Sequence, residues 1–92
     1  MKKFEEKVQK LINLYKVKKF SEAEKITNRL IKEEPKNAWY YNFIGLIKIE
    51  KGNFNTAIDC FKKGIKIDPK NPIFYDNLGT VYKLKKDYLK SE

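Results

Sequence analysis

Two short segments of the sequence are near copies of each other, and the spacing between them constrains the fold more than any other feature. Residues 34–37, Glu-Pro-Lys-Asn, recur 34 positions later as residues 68–71, Asp-Pro-Lys-Asn. Other residues share this offset: Tyr41 with Tyr75, Gly45 with Gly79, Ala23 with Ala57, and Phe20 with Phe54 and Tyr88. A fixed period of this length is typical of repeat proteins, in which each repeat is one supersecondary unit.

Within each copy, apolar residues recur every three or four positions, as they do on one side of an α-helix. Prolines 35 and 69 stop two of these runs, because a proline disfavours helix in the residue before it. The spacing predicts five helices, near residues 4–17, 20–33, 38–51, 54–67 and 72–85, with the third buried on two faces. A break at 85–87 and a short stub are expected to follow. The predicted loops are two to four residues long. Loops of this length make consecutive helices antiparallel, and the hairpins must stack to bury their apolar faces.

The residue types offer little for catalysis. The chain has no histidine, and Cys60 is its sole cysteine, so we expect an inert thiol and no intrachain disulfide. It also lacks cysteine–histidine metal spacings and a glycine-rich phosphate loop. These features predict a protein that is not an enzyme and has no catalytic residue, metal or cofactor.

Composition bounds the remaining possibilities. Ninety-two residues make one domain, spanning 1–92. The net charge is +9, but Arg29 is the only arginine, and a lysine surface favours solubility over specific nucleic-acid recognition. The chain shows neither an apolar secretory signal at its start nor a run long enough to span a membrane. We therefore expect a cytoplasmic protein that is not a membrane protein.

The second and third copies resemble the tetratricopeptide repeat signature. The matching residues are Tyr41, Ile44, Gly45, Ala57, Phe61 and Pro69 in one copy and Tyr75, Leu78, Gly79 and Tyr82 in the next, with Ala23 and Pro35 in the first. The resemblance covers residues 4–92, as repeats 4–37, 38–71 and a truncated 72–92. It implies an all-α fold, a right-handed superhelical stack of antiparallel helix hairpins.

The same resemblance implies roles for the signature residues. Gly45 and Gly79 would lie where one helix presses on the next, and the aromatic residues would fill the space between helices. Two positions depart from the pattern, because Lys48 replaces a tyrosine and Gly64 replaces an alanine. Gly64 would cost about 1 kcal/mol of helix propensity, or would mark a very close contact.

Proteins of this kind hold peptides in a concave groove lined by the first helix of each hairpin. The matching positions, called the inner groove below, are Val8, Ile12, Tyr15, Trp39, Asn42, Leu46, Ile49, Asp76, Thr80 and Lys83. Trp39 is the most informative, because Tyr41 already supplies the packing aromatic and Trp39 projects about 160° away from it. The alternative is that Trp39 packs against the preceding hairpin.

One known use of the family is not expected. Members that bind chaperones grip a C-terminal carboxylate with lysine, asparagine and arginine. The positions that match this clamp are Val8, Ile12, Phe43, Ile73 and Asn77, and only Asn77 has a side chain that bonds an anion. We predict that the chain has no carboxylate clamp.

The sequence therefore predicts a protein-interaction scaffold that binds a peptide or a partner protein. Two alternatives remain: electrostatic binding of nucleic acid or another polyanion, and the repeat segment of a larger enzyme such as a glycosyl- or sulfotransferase. The third hairpin lacks most of its second helix, so Leu78, Val81, Tyr82 and Tyr88 are expected to lack cover. This end would be closed by a second copy of the chain or by sequence beyond Glu92.

Overall fold

The computed structural model describes residues 2–91 and confirms an all-α solenoid. Five helices follow one another: α1 Lys2–Lys16, α2 Phe20–Glu33, α3 Ala38–Glu50, α4 Phe54–Ile67 and α5 Pro72–Ser91. Residues 2–91 contain no strand. Within that same range, no helix is both long and apolar enough to cross a membrane.

The helices form two layers around α3. Helices α1, α3 and α5 form one layer, and α2 and α4 form the other. Helix α2 packs against α1 and α3, and α4 packs against α3 and α5. Helix α3 is covered on two faces, as its apolar pattern predicts. Its buried residues are Tyr40, Asn42, Phe43, Ile44, Gly45 and Ile47.

The core has two clusters, one on each side of α3. The first joins α1, α2 and α3, and the second joins α4 and α5, with half-buried Leu46 and Ile49 of α3 packed against it. The buried members of the first are Leu11, Ala23, Leu30, Tyr40, Phe43 and Ile47, and those of the second are Ala57, Ile58, Phe61 and Val81. Because α3 contributes to both, it fixes the position of each hairpin relative to the next.

The recurring segments 34–37 and 68–71 form the junctions between hairpins. Each ends in an asparagine that caps the next helix, so the Asn37 side chain accepts from the Trp39 backbone N–H at 3.1 Å and Asn71 accepts from Ile73 at 3.0 Å. Such caps occupy N–H groups that the first helical turn leaves without partners. The repeated sequence therefore starts both α3 and α5 in the same way.

The predicted break at residues 85–87 is wrong, because α5 continues as one helix to Ser91. The two earlier turns each contain a residue with positive φ, Lys18 at 64° and Gly52 at 78°. Lys86 lies 34 positions after Gly52 but stays helical. A lysine reaches the left-handed region at a cost of about 1 kcal/mol. At Lys18 the packing of α2 offsets that cost, whereas no complete helix follows Lys86 within the described residues.

The uncovered end of the third copy differs in part from expectation. Val81 is fully buried in the second cluster, and Leu78 is half-buried against it, so neither lacks cover. Tyr88 packs edge-on against Phe54 with ring centroids 5.8 Å apart, although it remains exposed. Tyr82 is exposed, as expected. Helix α4 thus covers one side of α5 and leaves the other side open.

Two signature residues of the third copy do not take the packing roles expected for them. Tyr75 is exposed rather than filling space between helices. A Cβ built on Gly79 would meet nothing within 4 Å, so no helix presses on this glycine within the described chain. The reason is the same for both, since α4 packs on the opposite side of α5.

Candidate partner-binding surface

The ten residues of the inner groove all lie on α1, α3 and α5, the three helices of one layer. They differ in how accessible they are. Val8, Ile12, Tyr15, Trp39, Leu46 and Ile49 are half-buried, Asp76, Thr80 and Lys83 are exposed, and Asn42 is buried. The apolar part of the surface therefore lies on α1 and α3, and the polar part lies on α5.

Trp39 packs against the preceding hairpin and also retains an accessible edge. Its ring stacks on Phe43 at a centroid distance of 5.1 Å and an interplanar angle of 9°. Phe4 of α1 meets it edge-on at 6.2 Å. Nevertheless the side chain is only half-buried, and it lines an open cleft. Trp39 therefore packs against the preceding hairpin, as the alternative expected, and keeps part of its side chain accessible.

The cleft beside Trp39 has a volume of about 720 Å³ and lies between the two hairpin junctions. Helix α4 contributes Ile67, and α5 contributes the buried Phe74. The remaining lining residues are Glu34, Pro35, Lys36, Asn37, Ala38, Asp68 and Asn71. An apolar floor with polar groups at its edge is typical of sites that hold a side chain of a bound partner.

Tyr40, which lies next to Trp39, takes the fully buried aromatic position in the first turn of α3. Tyr41, to which the signature assigns this role, is only half-buried. The Tyr40 hydroxyl donates to Glu34 Oε2 at 3.1 Å, and Lys7 pairs with the same oxygen at 3.4 Å. Burial and the Glu34 carboxylate raise the pKa of Tyr40 to about 12. This contact holds α3 against the end of α2.

Polar bridges join neighbouring helices of the layer. Asn77 of α5 donates from Nδ2 to Asn42 Oδ1 at 2.9 Å, and the Tyr15 hydroxyl of α1 donates to Glu50 Oε2 of α3 at 3.2 Å. Burial, followed by the nearby Glu50 carboxylate, raises the pKa of Tyr15. Both bridges connect residues 35 positions apart. Asn42 is therefore a structural link more than a free contact for a partner.

Two observations bear on the chemical reactivity of residues 2–91. Burial raises the pKa of the half-buried Cys60 thiol, which disfavours the reactive thiolate. Across those same residues, no group of three or more cysteine, histidine, aspartate or glutamate side chains is placed to hold a metal ion.

Several residues of this surface were not selected from the sequence, namely Phe4, Ile67, Phe74 and Glu50. A simple signal locates three of them. Neighbouring helices of the layer meet at an offset of 35, one more than the repeat length, as Phe4–Trp39, Tyr15–Glu50 and Asn42–Asn77 show. Trp39 and Phe74, which line the same cleft, have this spacing too. Ile67 has no such partner and is placed only by the path of α4.

Comparison with known proteins agrees with this architecture. Residues 45–86 match a family described as TPR repeat. A solved structure described as "MamA RS-1 ArsTM double mutant" superposes with a TM-score of 0.78 at 22% sequence identity. The match covers 88% of the present chain and 46% of that protein, so the chain spans about half the length of this structural neighbour. At this identity the likeness concerns the fold.

Proposed function

Because the chain carries tetratricopeptide repeats, we propose that it is a scaffold that holds a peptide segment of a partner protein in the inner groove. Repeats of this kind generally serve as non-enzymatic interaction modules, which supports the general class. The observation that best supports binding at the groove is the half-buried indole of Trp39, which lies beside an apolar cleft of about 720 Å³.

The environment of Trp39 suits an anchoring contact. Phe43 and Phe4 hold the ring from two directions, so little side-chain entropy remains to be lost when a partner binds. Tryptophan in a partly desolvated pocket is over-represented among residues that dominate binding energy. We therefore propose that an apolar side chain of the peptide enters the cleft between Trp39 and Ile67.

The rest of the groove would guide the peptide along the layer. Leu46 and Ile49 give an apolar path on α3, while exposed Asp76 and Lys83 on α5 offer one charge of each sign. A surface with mixed rim charges favours a peptide held mainly by apolar contacts, whose affinity depends weakly on salt. Since Asn77 already donates to Asn42, we continue to predict that no carboxylate clamp operates here.

Tryptophan fluorescence can test this proposal at the site itself, because Trp39 is the only tryptophan. Peptides selected from a displayed library would be titrated into the chain while the emission is followed. We expect a shifted or quenched emission, and loss of at least about tenfold in affinity in an Ile67→Glu variant, because the exposed side chain of Ile67 lines the cleft. Val17→Glu, a change at an exposed apolar residue outside both the inner groove and the cleft, is the matched control. Binding that leaves the emission unchanged would place the peptide elsewhere.

The net charge of +9 and the exposed lysines of α4, Lys62, Lys63 and Lys66, favour a second candidate, binding of a polyanion. Its affinity would fall steeply with salt, with a slope that reports the number of neutralised phosphates. Titration with single-stranded DNA at two ionic strengths separates the candidates.

We place the scaffold in the cytoplasm as part of the proposal, since its lone cysteine suits a reducing compartment.

A further inference from the structure

One side of α5 is apolar and has no helix packed on it within residues 2–91. We call it the outer stripe, formed by Tyr75, Gly79, Tyr82, Lys86 and Leu89. Their spacing of four, three, four and three residues places them along one line of the helix. Tyr75, Tyr82 and Leu89 are 48%, 46% and 60% exposed. Exposed aromatic residues in one line are characteristic of an interaction surface.

The equivalent side of α3 shows what this kind of surface receives. Gly45 corresponds to Gly79, and the ring of Phe61 from α4 lies so close over Gly45 that an added Cβ would be 2.7 Å from Phe61 Cδ1. The glycine is thus a notch that admits an aromatic ring from an antiparallel helix. At Gly79 the same notch is open. The stripe therefore fits a helix that brings an aromatic ring to this point.

We infer that a second copy of this chain fills the notch, with α5 packed antiparallel against α5 of the second copy. The stripe is complementary to itself, because Tyr82 lies three residues after Gly79 on the same line. A two-fold axis between these positions sets each Tyr82 ring over the Gly79 of the other copy. Such a contact is closed, so it forms a dimer and does not propagate into a filament.

The charges along α5 agree with this register. It brings Tyr75 opposite Lys86 of the second copy, where an ammonium group meets an aromatic face. At the edge of the seam it brings Asp76 beside Lys83 of the second copy, an opposite-charge pair that occurs twice by symmetry. Because α5 runs unbroken to Ser91, the seam from Tyr75 to Leu89 has a length of about 21 Å. Because Asp76 and Lys83 also belong to the inner groove, the dimer would cover the α5 edge of the groove and leave its part on α1 and α3 accessible.

Sedimentation equilibrium of the 92-residue chain tests the inference over about 1 μM to 1 mM. We expect the average mass to rise from 11.0 kDa towards twice that value. Gly79→Ala should weaken association by at least about tenfold, because its methyl group occupies the notch. The same substitution should raise the unfolding midpoint of the monomer, because alanine favours helix. Loss of association with a gain in stability separates an interface effect from misfolding.

Two further measurements complete the test. Tyr82→Glu should abolish association, whereas Ile73→Ala, a change at an exposed apolar residue on another side of α5, should leave it unaltered. Added salt should strengthen association, because each copy carries a net charge of +9. A monomer throughout the concentration range overturns the inference. So does a dimer that Gly79→Ala and Tyr82→Glu leave intact, since its interface would lie elsewhere.

Discussion

Helices α3 and α5 carry the same signature, Tyr-x-x-(Ile or Leu)-Gly, and begin with the same Asn cap, yet the structure uses the signature differently in each. In α3, Gly45 is buried under Phe61. In α5, Gly79 is exposed, and so is Tyr75, whose hydroxyl donates to the Pro69 carbonyl oxygen at 2.8 Å. The glycine of this repeat therefore obtains its packing role from the helix that follows it.

The turns after the two helices show the same dependence. Gly52 ends α3 with a φ of 78°, while Lys86, the equivalent residue, remains inside α5. Lys18, in the first copy, adopts a φ of 64° without being glycine. Residue type alone therefore does not decide where the helix ends, because two lysines at equivalent positions behave differently. The packing of the next helix decides it.

Alanine substitution at the two glycines gives the largest expected contrast. Gly45→Ala should destabilise the fold by about 2–3 kcal/mol, because Phe61 is fully buried and cannot move away without repacking the second cluster. Urea unfolding followed by circular dichroism measures the change. A double variant, Gly45→Ala with Phe61→Leu, should recover part of the loss. A stable single variant would show that the α3–α4 contact is looser than described.

Most of the fold could be predicted from the sequence, because a period of 34 and two Pro-x-Asn junctions constrain helix number, length and direction together. Four helix starts fall at the predicted residues, namely Phe20, Ala38, Phe54 and Pro72. The end of α5 could not be predicted in the same way. The predicted break at 85–87 lies one repeat after the turn at Gly52, but a turn there needs a following helix to stabilise it.

A charged contact between α2 and the end of α3 has no counterpart at α5. Its removal should cause the next largest loss of stability. Glu24 of α2 accepts from Lys48 and Lys51, each at 2.8 Å, and its side chain is only 19% exposed. One repeat length further along the chain, Ile58 and Tyr82 occupy the positions of Glu24 and Lys48. Glu24→Gln should therefore destabilise the fold by about 1–2 kcal/mol, because both charge-assisted bonds are weakened.

The effect of Glu24→Gln should depend on pH. The hydrogen bonds from Lys48 and then Lys51 hold the pKa of Glu24 below its ordinary value of 4.5. A lowered folded-state pKa gives stability that is complete above pH 4.5 and is lost as the pH falls through the folded value. The difference between wild type and variant should thus shrink in acid. Glu22→Gln, at an exposed position of α2, is the control and should show no such convergence.

Where alanine has room, it should stabilise. A Cβ on Gly64 would lie 3.5 Å from the Ala38 carbonyl oxygen and from Phe74, an ordinary contact distance, and Gly79 is open. Both Gly64→Ala and Gly79→Ala should therefore add up to about 1 kcal/mol through helix propensity. Thermal unfolding at low concentration measures the monomer. A loss of stability in Gly64→Ala would instead indicate that Gly64 makes the very close contact that the sequence suggested.

The candidate site was less accessible to sequence reasoning than the fold. The signature locates the inner layer, and a 100° rotation per residue places Trp39 on a side distinct from Tyr41. However, the surroundings of Trp39 include side chains from other helices, since Phe4 of α1 contacts its ring and Phe74 of α5 lines the same cleft. Their common offset of 35 reflects how neighbouring hairpins step past each other, which is set by packing and not by local propensity.

The smallest expected effect concerns the turns, where one substitution should act in opposite directions at equivalent positions. Lys18→Gly should stabilise by about 0.5 kcal/mol, because relief of the positive φ exceeds the entropy that glycine adds to the unfolded chain. Lys86→Gly should instead destabilise by about 0.5 kcal/mol, because Lys86 is helical. Urea titrations with ellipticity at about 222 nm resolve both, since loss of the α5 end lowers helix content. Stabilisation by both substitutions would mean that α5 already turns near Lys86 in solution. The open side of α5 would then be covered by its own C-terminal residues, and α3 and α5 would differ less than their glycines indicate.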